Sequence, residues 1–163
     1  MKAIAAMDPH RVIGNKGILP WPSIREDFQF FKQFTMGKQL VMGKTTFLSI
    51  PPLKGRKICV VTSDGGMGFN PEFRKKCDLL SIRFPYLNAD GTLKYPPYEL
   101  DDAIVVGGAK TYKLFLPYCT DVYVTHIFDE YSGDSYMPYF EDMFPNQEII
   151  QEAKNFWIVR YFK

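Results

Sequence analysis

The chain predicts an α/β fold built on a mixed, mostly parallel sheet of about eight strands flanked by helices, and three observations carry that prediction. Short apolar runs recur at residues 3–7, 39–42, 56–62 and 103–106, the composition of strands buried on both faces. Segments of helical spacing or turn glycines lie between them, the order of strand–helix–strand crossovers. Residues 148–152 and 156–162 alternate instead, like an antiparallel hairpin at a sheet edge. With 163 residues, 46% of them apolar and 16% aromatic, the chain can fill one substantial core but not two ordinary ones. A single domain over 1–163 is expected.

The elements follow in order. Residues 3–7 form a buried strand that Asp8-Pro9 stops, before a loop carrying Gly14, Asn15 and Gly17. A helix runs from Ser23 to about Thr35, with Ser23 as N-cap and Glu26 as its capping-box partner, and Gly37 ends it. The strand at 39–42 turns through Gly43-Lys44-Thr45-Thr46-Phe47 into a short helix that Pro51-Pro52 ends. After the strand at 56–62, residues 64–102 are rich in glycine, proline and asparagine, and only 79–82 reads as a strand core. The strand at 103–106 closes on Gly107-Gly108, a helix follows from Ala109 to about Leu116, and 121–127 is the next strand.

Composition narrows the function classes. Twenty basic and 18 acidic residues give a net charge of +2, which offers no strongly basic surface for nucleic acid. Three widely spaced cysteines, Cys59, Cys77 and Cys119, suit free thiols in a reducing compartment, so a cytoplasmic location is expected. No apolar run approaches the ~20 residues that cross a bilayer. His10 and His126 stand alone, without ligands at zinc-like spacing, and no metal is expected.

Asp27 carries the most chemistry. On a helix from Ser23 it shares a stripe with Ile24, Phe31 and Phe34, the face that should meet the core. A carboxylate buried there needs a donor, from the protein or from a ligand. The plainer reading is a first-turn acid that complements the helix dipole and stays partly solvated.

Two strand–helix junctions are compatible with phosphate. Gly43-Lys44-Thr45 looks like the end of a P-loop, but the glycine which that motif needs five residues earlier is Lys38. What remains is a helix start with free N–H groups, two hydroxyls and a lysine. Gly107-Gly108-Ala109-Lys110-Thr111-Tyr112 is the second junction. The pair suggests a ligand with a pyrophosphate between them; equally, Gly107 and Gly108 let a helix pack close on its strand.

Ile4-Ala5-Ala6, Val12-Ile13-Gly14, Leu19-Pro20-Trp21, Asp27, Met42-Gly43-Lys44-Thr45-Thr46, Gly55-Arg56, Val106-Gly107-Gly108-Ala109, Tyr112 and Tyr123-Val124-Thr125-His126-Ile127 together resemble dihydrofolate reductase, in order and spacing, from residue 1 to about 140. The resemblance implies that fold, and NADPH-dependent reduction of dihydrofolate by hydride transfer to C6 with a proton delivered to N5. It makes Asp27 the pterin-binding acid, braced by Thr125, with Trp21 holding a water nearby. Ile4 and Val106 would offer carbonyls to antifolates. Ala5, Phe28, Phe31, Ile50, Leu53 and Tyr112 complete the substrate site, and Arg56 would clamp the glutamate α-carboxylate.

For NADPH the resemblance implies Ala6, Ile13, Gly14, Gly17, Leu19, Gly43, Lys44, Thr45, Thr46, Thr62, Ser63, Gly107, Gly108, Ala109, Lys110, Thr111 and Tyr112, with a cis peptide between Gly107 and Gly108. Residues 14–19 would gate the site, and Asp134 would help hold that gate closed. A monomer is implied, with small-molecule partners only. Two features depart from the pattern. The stretch between Ser63 and Ala103 is long and lacks a clear amphipathic helix, and Asp64 puts a carboxylate where it could repel the cofactor 2′-phosphate. Two other readings stand beside this one: a fold-related pyrimidine reductase of riboflavin synthesis, which would not need Arg56 or the aromatic wall, and an assembly protein that kept the fold without activity.

Overall fold

The computed structural model describes residues 1–63 and 70–163. In chain order the main elements are β1 (Lys2–Met7), β2 (Val12–Gly14), α1 (Arg25–Thr35), β3 (Gln39–Gly43), α2 (Lys44–Ser49), β4 (Lys57–Val61), β5 (Leu79–Arg83), β6 (Ile104–Gly107), α3 (Ala109–Phe115), β7 (Asp121–Ile127), β8 (Ser135–Tyr136), β9 (Asn146–Glu152) and β10 (Phe156–Phe162). Among the described residues eight strands form one sheet in the order β5-β4-β3-β6-β1-β7-β10-β9. Neighbours from β5 to β7 are parallel, and β10 runs antiparallel to both β7 and β9. The expected mixed sheet with its C-terminal hairpin is therefore present.

Alternation along the strands sorts the core into two layers. Ala3, Ala5 and Met7 of β1, Val41 of β3, Cys59 of β4 and Val122 and Val124 of β7 pack with Tyr112, Phe115 and Leu116 on the α3 side. Ile4, Leu40, Met42, Ile58, Val60 and Ile104 face the opposite way, toward Phe47 and the aromatics of α1. The two sides follow from topology: chain order moves in one direction from β1 to β5 and in the other from β6 to β7, so right-handed crossovers put α1 and α3 on opposite faces.

Several local expectations are corrected. Ser23 is not the N-cap of α1: Ile24 holds that position in an extended conformation, with no side-chain cap. The first-turn donors instead meet the negative charge of Glu26 and Asp27. The hairpin begins at Asn146, two residues before the alternation becomes visible. β2 and β8 pair as a small antiparallel ribbon where the sequence reads only as loop. Between β5 and β6 the chain forms a short 3-10 turn, Tyr98–Leu100, and the core there is filled by Leu100 and Leu93.

Two polar locks, one buried and one half-buried, hold the carboxyl end of β1. Asp8, 1% exposed, accepts hydrogen bonds on Oδ1 from the His10 and Val12 amides and on Oδ2 from the Tyr131 amide. Three backbone donors satisfy a carboxylate that would otherwise be costly to bury. Arg11 adopts a positive φ of 67° and donates to Met137 O, Pro138 O and the Glu141 carboxylate, with its guanidinium over the Tyr139 ring.

The β2–β8 contact leaves no room at Gly133, where an added Cβ would come within 2.3 Å of Val12 Cγ1 and 2.5 Å of Gly14 O. Gly133→Ala is therefore expected to cost about 1–3 kcal/mol of stability, read from denaturant or thermal midpoints.

Candidate active site

The open side of α1 faces the carboxyl end of β7. Ile24, Asp27, Phe30, Phe31 and Phe34 are all half-buried, and within the helix only Thr35 is fully buried. Asp27 lies in the first turn, as the plainer reading had it, and it also points into the fold: Thr125 Oγ1 donates to Asp27 Oδ1 at 2.5 Å. Burial pushes the Asp27 carboxyl above the ordinary carboxylate value, and the Thr125 hydrogen bond draws it part of the way back. Thr125 is 2% exposed and is fixed between Ala6 of β1 and Ile158 of β10.

A glycine-lined cleft opens where β3 and β6 end side by side. The peptide between Gly107 and Gly108 is cis, as the resemblance implied. An added Cβ on Gly43 would lie 2.9 Å from Thr111 Oγ1 and 3.8 Å from the Gly108 nitrogen, and one on Gly108 would lie 3.4 Å from Thr46 Oγ1. The starts of α2 and α3 are thus adjacent, with the Thr46 and Thr111 hydroxyls between them. Gly107 has a φ of 120°, open only to glycine, and faces the Tyr112 ring. Tyr112 is buried and its hydroxyl donates to Ile4 O at 2.7 Å; burial raises its pKa well above the ordinary tyrosine value. Ala5 turns its side chain into the α3-side core, which leaves only its backbone to the cleft.

The remaining expected residues differ in burial and in partners. Leu53 is buried, Ile50 and Val106 half-buried and Phe28 45% exposed, the first three in the same apolar layer as Phe31. Arg56 is 6% exposed, and donates from Nε to Thr35 Oγ1 at 3.3 Å and from Nη1 to Lys54 O at 2.7 Å. Burial lowers its pKa, against an opposing pull from Asp78. Thr35, in turn, donates to Phe31 O. Ser63, Thr45, Lys110 and Leu19 are exposed, Ala6, Ile13, Lys44 and Ala109 half-buried and Thr62 buried. Asp64 lies outside the described residues.

The loop over the cleft is tied through Asp134. Asp134 N donates to Gly14 O, and Lys16 N donates to Asp134 Oδ2, each at 3.1 Å. Gly17 has a φ of 83°, and an added Cβ there would lie 3.8 Å from Thr45 Cγ2. Trp21 is 7% exposed and packs edge-on against Tyr131, ring centroids 5.8 Å apart. Sequence reasoning missed Thr35, Tyr131 and Asp8, which hold Arg56, Trp21 and the loop base. Asp8-Pro9 carried one usable signal, an acid directly after a buried strand.

The dihydrofolate reductase family model matches residues 1–156. The chain belongs to the dihydrofolate reductase family. Among similar members, dihydrofolate reductase of Mycoplasma pneumoniae is 36% identical over 139 residues, 84% of this chain and 82% of its own. The Bacillus subtilis enzyme is 35% identical, over 85% of this chain and 76% of its own. The solved dihydrofolate reductase from Enterococcus faecalis, complexed with NADP(H) and RAB-propyl, superposes with a TM-score of 0.69 at 26% identity, covering 98% of this chain and 92% of that one. In this family member the acid on α1, the glycine cleft and the tied loop all converge on the carboxyl end of the sheet.

A raised pKa for Asp27 means that folding favours its protonated form. The stabilisation is complete below the ordinary aspartate value of about 3.9 and is lost as pH rises through the folded value. Above the folded value the ionised carboxylate therefore opposes folding. Asp27→Asn is expected to raise Tm by a few degrees at pH above the folded value, with the difference shrinking toward acid pH, as paired thermal melts across a pH series would show.

Proposed function

We propose that this chain reduces 7,8-dihydrofolate to 5,6,7,8-tetrahydrofolate with NADPH, as a monomeric, single-domain cytoplasmic enzyme. One observation carries the reading: a carboxylate with a Thr125 brace stands on the open face of α1, beside a glycine-lined cleft formed by two strand ends. The residues present fit the cofactor, because at Gly43 a Cβ would fill the space that brings the two helix starts together, and at Gly107 the backbone excludes one. Gly43, Lys44, Thr45, Thr46, Gly107, Gly108, Ala109 and Thr111 would hold its phosphates, with Ser63 and Lys110 at the exposed rim. NADPH supplies the hydride that is added to C6.

The chain's own residues bind, orient and exclude water. Asp27 accepts from the pterin N3 and 2-amino groups, two charge-assisted hydrogen bonds that set which face of the ring meets the cofactor. Thr125 holds the carboxylate in that orientation. Ile4 and Val106 carry the carbonyls beside the ring, and Phe28, Phe31, Ile50 and Leu53 form its apolar walls. Arg56 takes the glutamate α-carboxylate, aligned by Thr35 so that its guanidinium needs little reordering. No side chain of this set donates directly to N5. A water admitted under residues 14–19 delivers that proton, near Trp21, while Asp134 keeps the loop closed. The three cysteines are buried free thiols, in keeping with a reducing compartment.

Oxidation of NADPH by the purified protein, with and without dihydrofolate and in parallel with NADH, tests the reading. Asp27→Asn is expected to keep its fold and lose about 10²–10⁴-fold in turnover. A folded protein that binds NADPH yet shows no dihydrofolate-dependent oxidation would sink the assignment. Arg56→Lys keeps the charge and loses the planar fork, so KM for dihydrofolate should rise about tenfold with kcat little changed, as steady-state kinetics would report.

A further inference from the structure

α2 ends against two prolines. The last carbonyls of a helix have no partner inside it, and the amides just beyond usually supply one. Here those positions are Pro51 and Pro52, which have no N–H. The Ile50 amide and Ser49 Oγ both donate to Thr46 O, at 2.9 and 3.1 Å. The carbonyls of Phe47, Leu48 and Ile50 are all taken by one side chain, Lys76, whose Nζ donates to them at 2.9, 3.1 and 3.0 Å. An ammonium has three donors and no acceptor, so all of its capacity is spent at this helix end. Its charge also sits where the helix dipole is negative, 5.1 Å from the Phe47 ring centroid.

The contact runs in both directions. Leu53 carries the first N–H after the prolines, and donates it to Lys76 O at 2.5 Å. Lys76 closes the 3-10 turn Pro71–Lys76, whose Phe73 meets Phe47 edge-on with centroids 5.5 Å apart. A segment that follows β4 and reads as irregular in sequence thus brackets residues 47–53 from both sides.

We infer that Lys76 is a positioning residue for substrate binding. It fixes the backbone that presents Ile50 and Leu53, doing through space what the two prolines prevent the chain from doing locally. The inference rests on the proposed placement of Ile50 and Leu53 in the dihydrofolate wall. Lys76→Met keeps an unbranched apolar stem and removes every donor, while Lys76→Arg keeps charge and donors. In steady-state kinetics, KM for dihydrofolate should rise about 5–20-fold in Lys76→Met with kcat within about twofold, and Lys76→Arg should recover most of that loss.

Leu53→Ala separates the two layers of the argument. If Leu53→Ala raises KM and Lys76→Met does not, the role of Lys76 is overturned while the wall stands. If Leu53→Ala leaves KM unchanged, the wall assignment falls and the inference falls with it. A lowered Tm with unchanged KM in Lys76→Met also overturns it, since that is the outcome of a purely structural cap. Should Lys76→Met fail to fold, Lys76→Gln, which loses the charge and one of the three donors, is expected to raise KM about 2–5-fold, and an unchanged KM in that folded variant overturns the inference.

Discussion

A single hydrogen bond, from the Thr125 hydroxyl to the Asp27 carboxylate, is the constraint on which the site depends. It joins the first turn of α1 to β7 through two residues 98 positions apart in the chain, and sets where the acid points. Around it the apolar face of α1 is left half-covered, whereas the same kind of face on α3, carried by Thr111, Tyr112 and Phe115, is fully buried. An amphipathic helix that stops short of burying its stripe leaves a groove with a carboxylate in its wall. A flat ring with donors on one edge is the shape that would complete that layer of the core.

The backbone of the cleft follows from the sheet order. β6 enters between β3 and β1, which brings the glycines at the ends of β3 and β6 together and leaves their two helices on opposite faces. Close approach is possible only because both strands end on residues without side chains. The same choice removes side-chain packing from the middle of the cleft, so its stability is supplied from below, by Leu40, Val41, Val105 and their neighbours, all nearly inaccessible.

Features that depend on local pattern were legible in the sequence: the apolar strands, the terminal hairpin, the two glycine junctions and an acid on an aromatic helix face. What escaped is held by bonds between distant residues. Arg11 reaches residues 126 to 130 positions away, and the Tyr131 amide meets Asp8 across 123. No spacing rule encodes such pairs, and Thr35 and Lys76 looked like ordinary helix and turn residues until their partners were in place. The error at Ser23 has a different origin: the N-cap falls one residue later than the capping pattern suggests, at Ile24, which moves the serine outside the cap position. The pairing of β2 with β8 involves three residues against two, too few to produce a readable alternation.

The order of the last two strands carries a consequence for biosynthesis. β10 follows β9 in the chain but lies inside it in the sheet, directly against β7. A chain emerging from the ribosome would therefore have β1, β6 and β7 available for pairing while the outer edge of β7 was still bare. Thr125 gains its second neighbour, Ile158, only when residues 156–162 arrive. The brace on Asp27 is thus among the last parts of the molecule to be secured, and a nascent chain missing those residues would have the cleft's sequence without the strand that backs it.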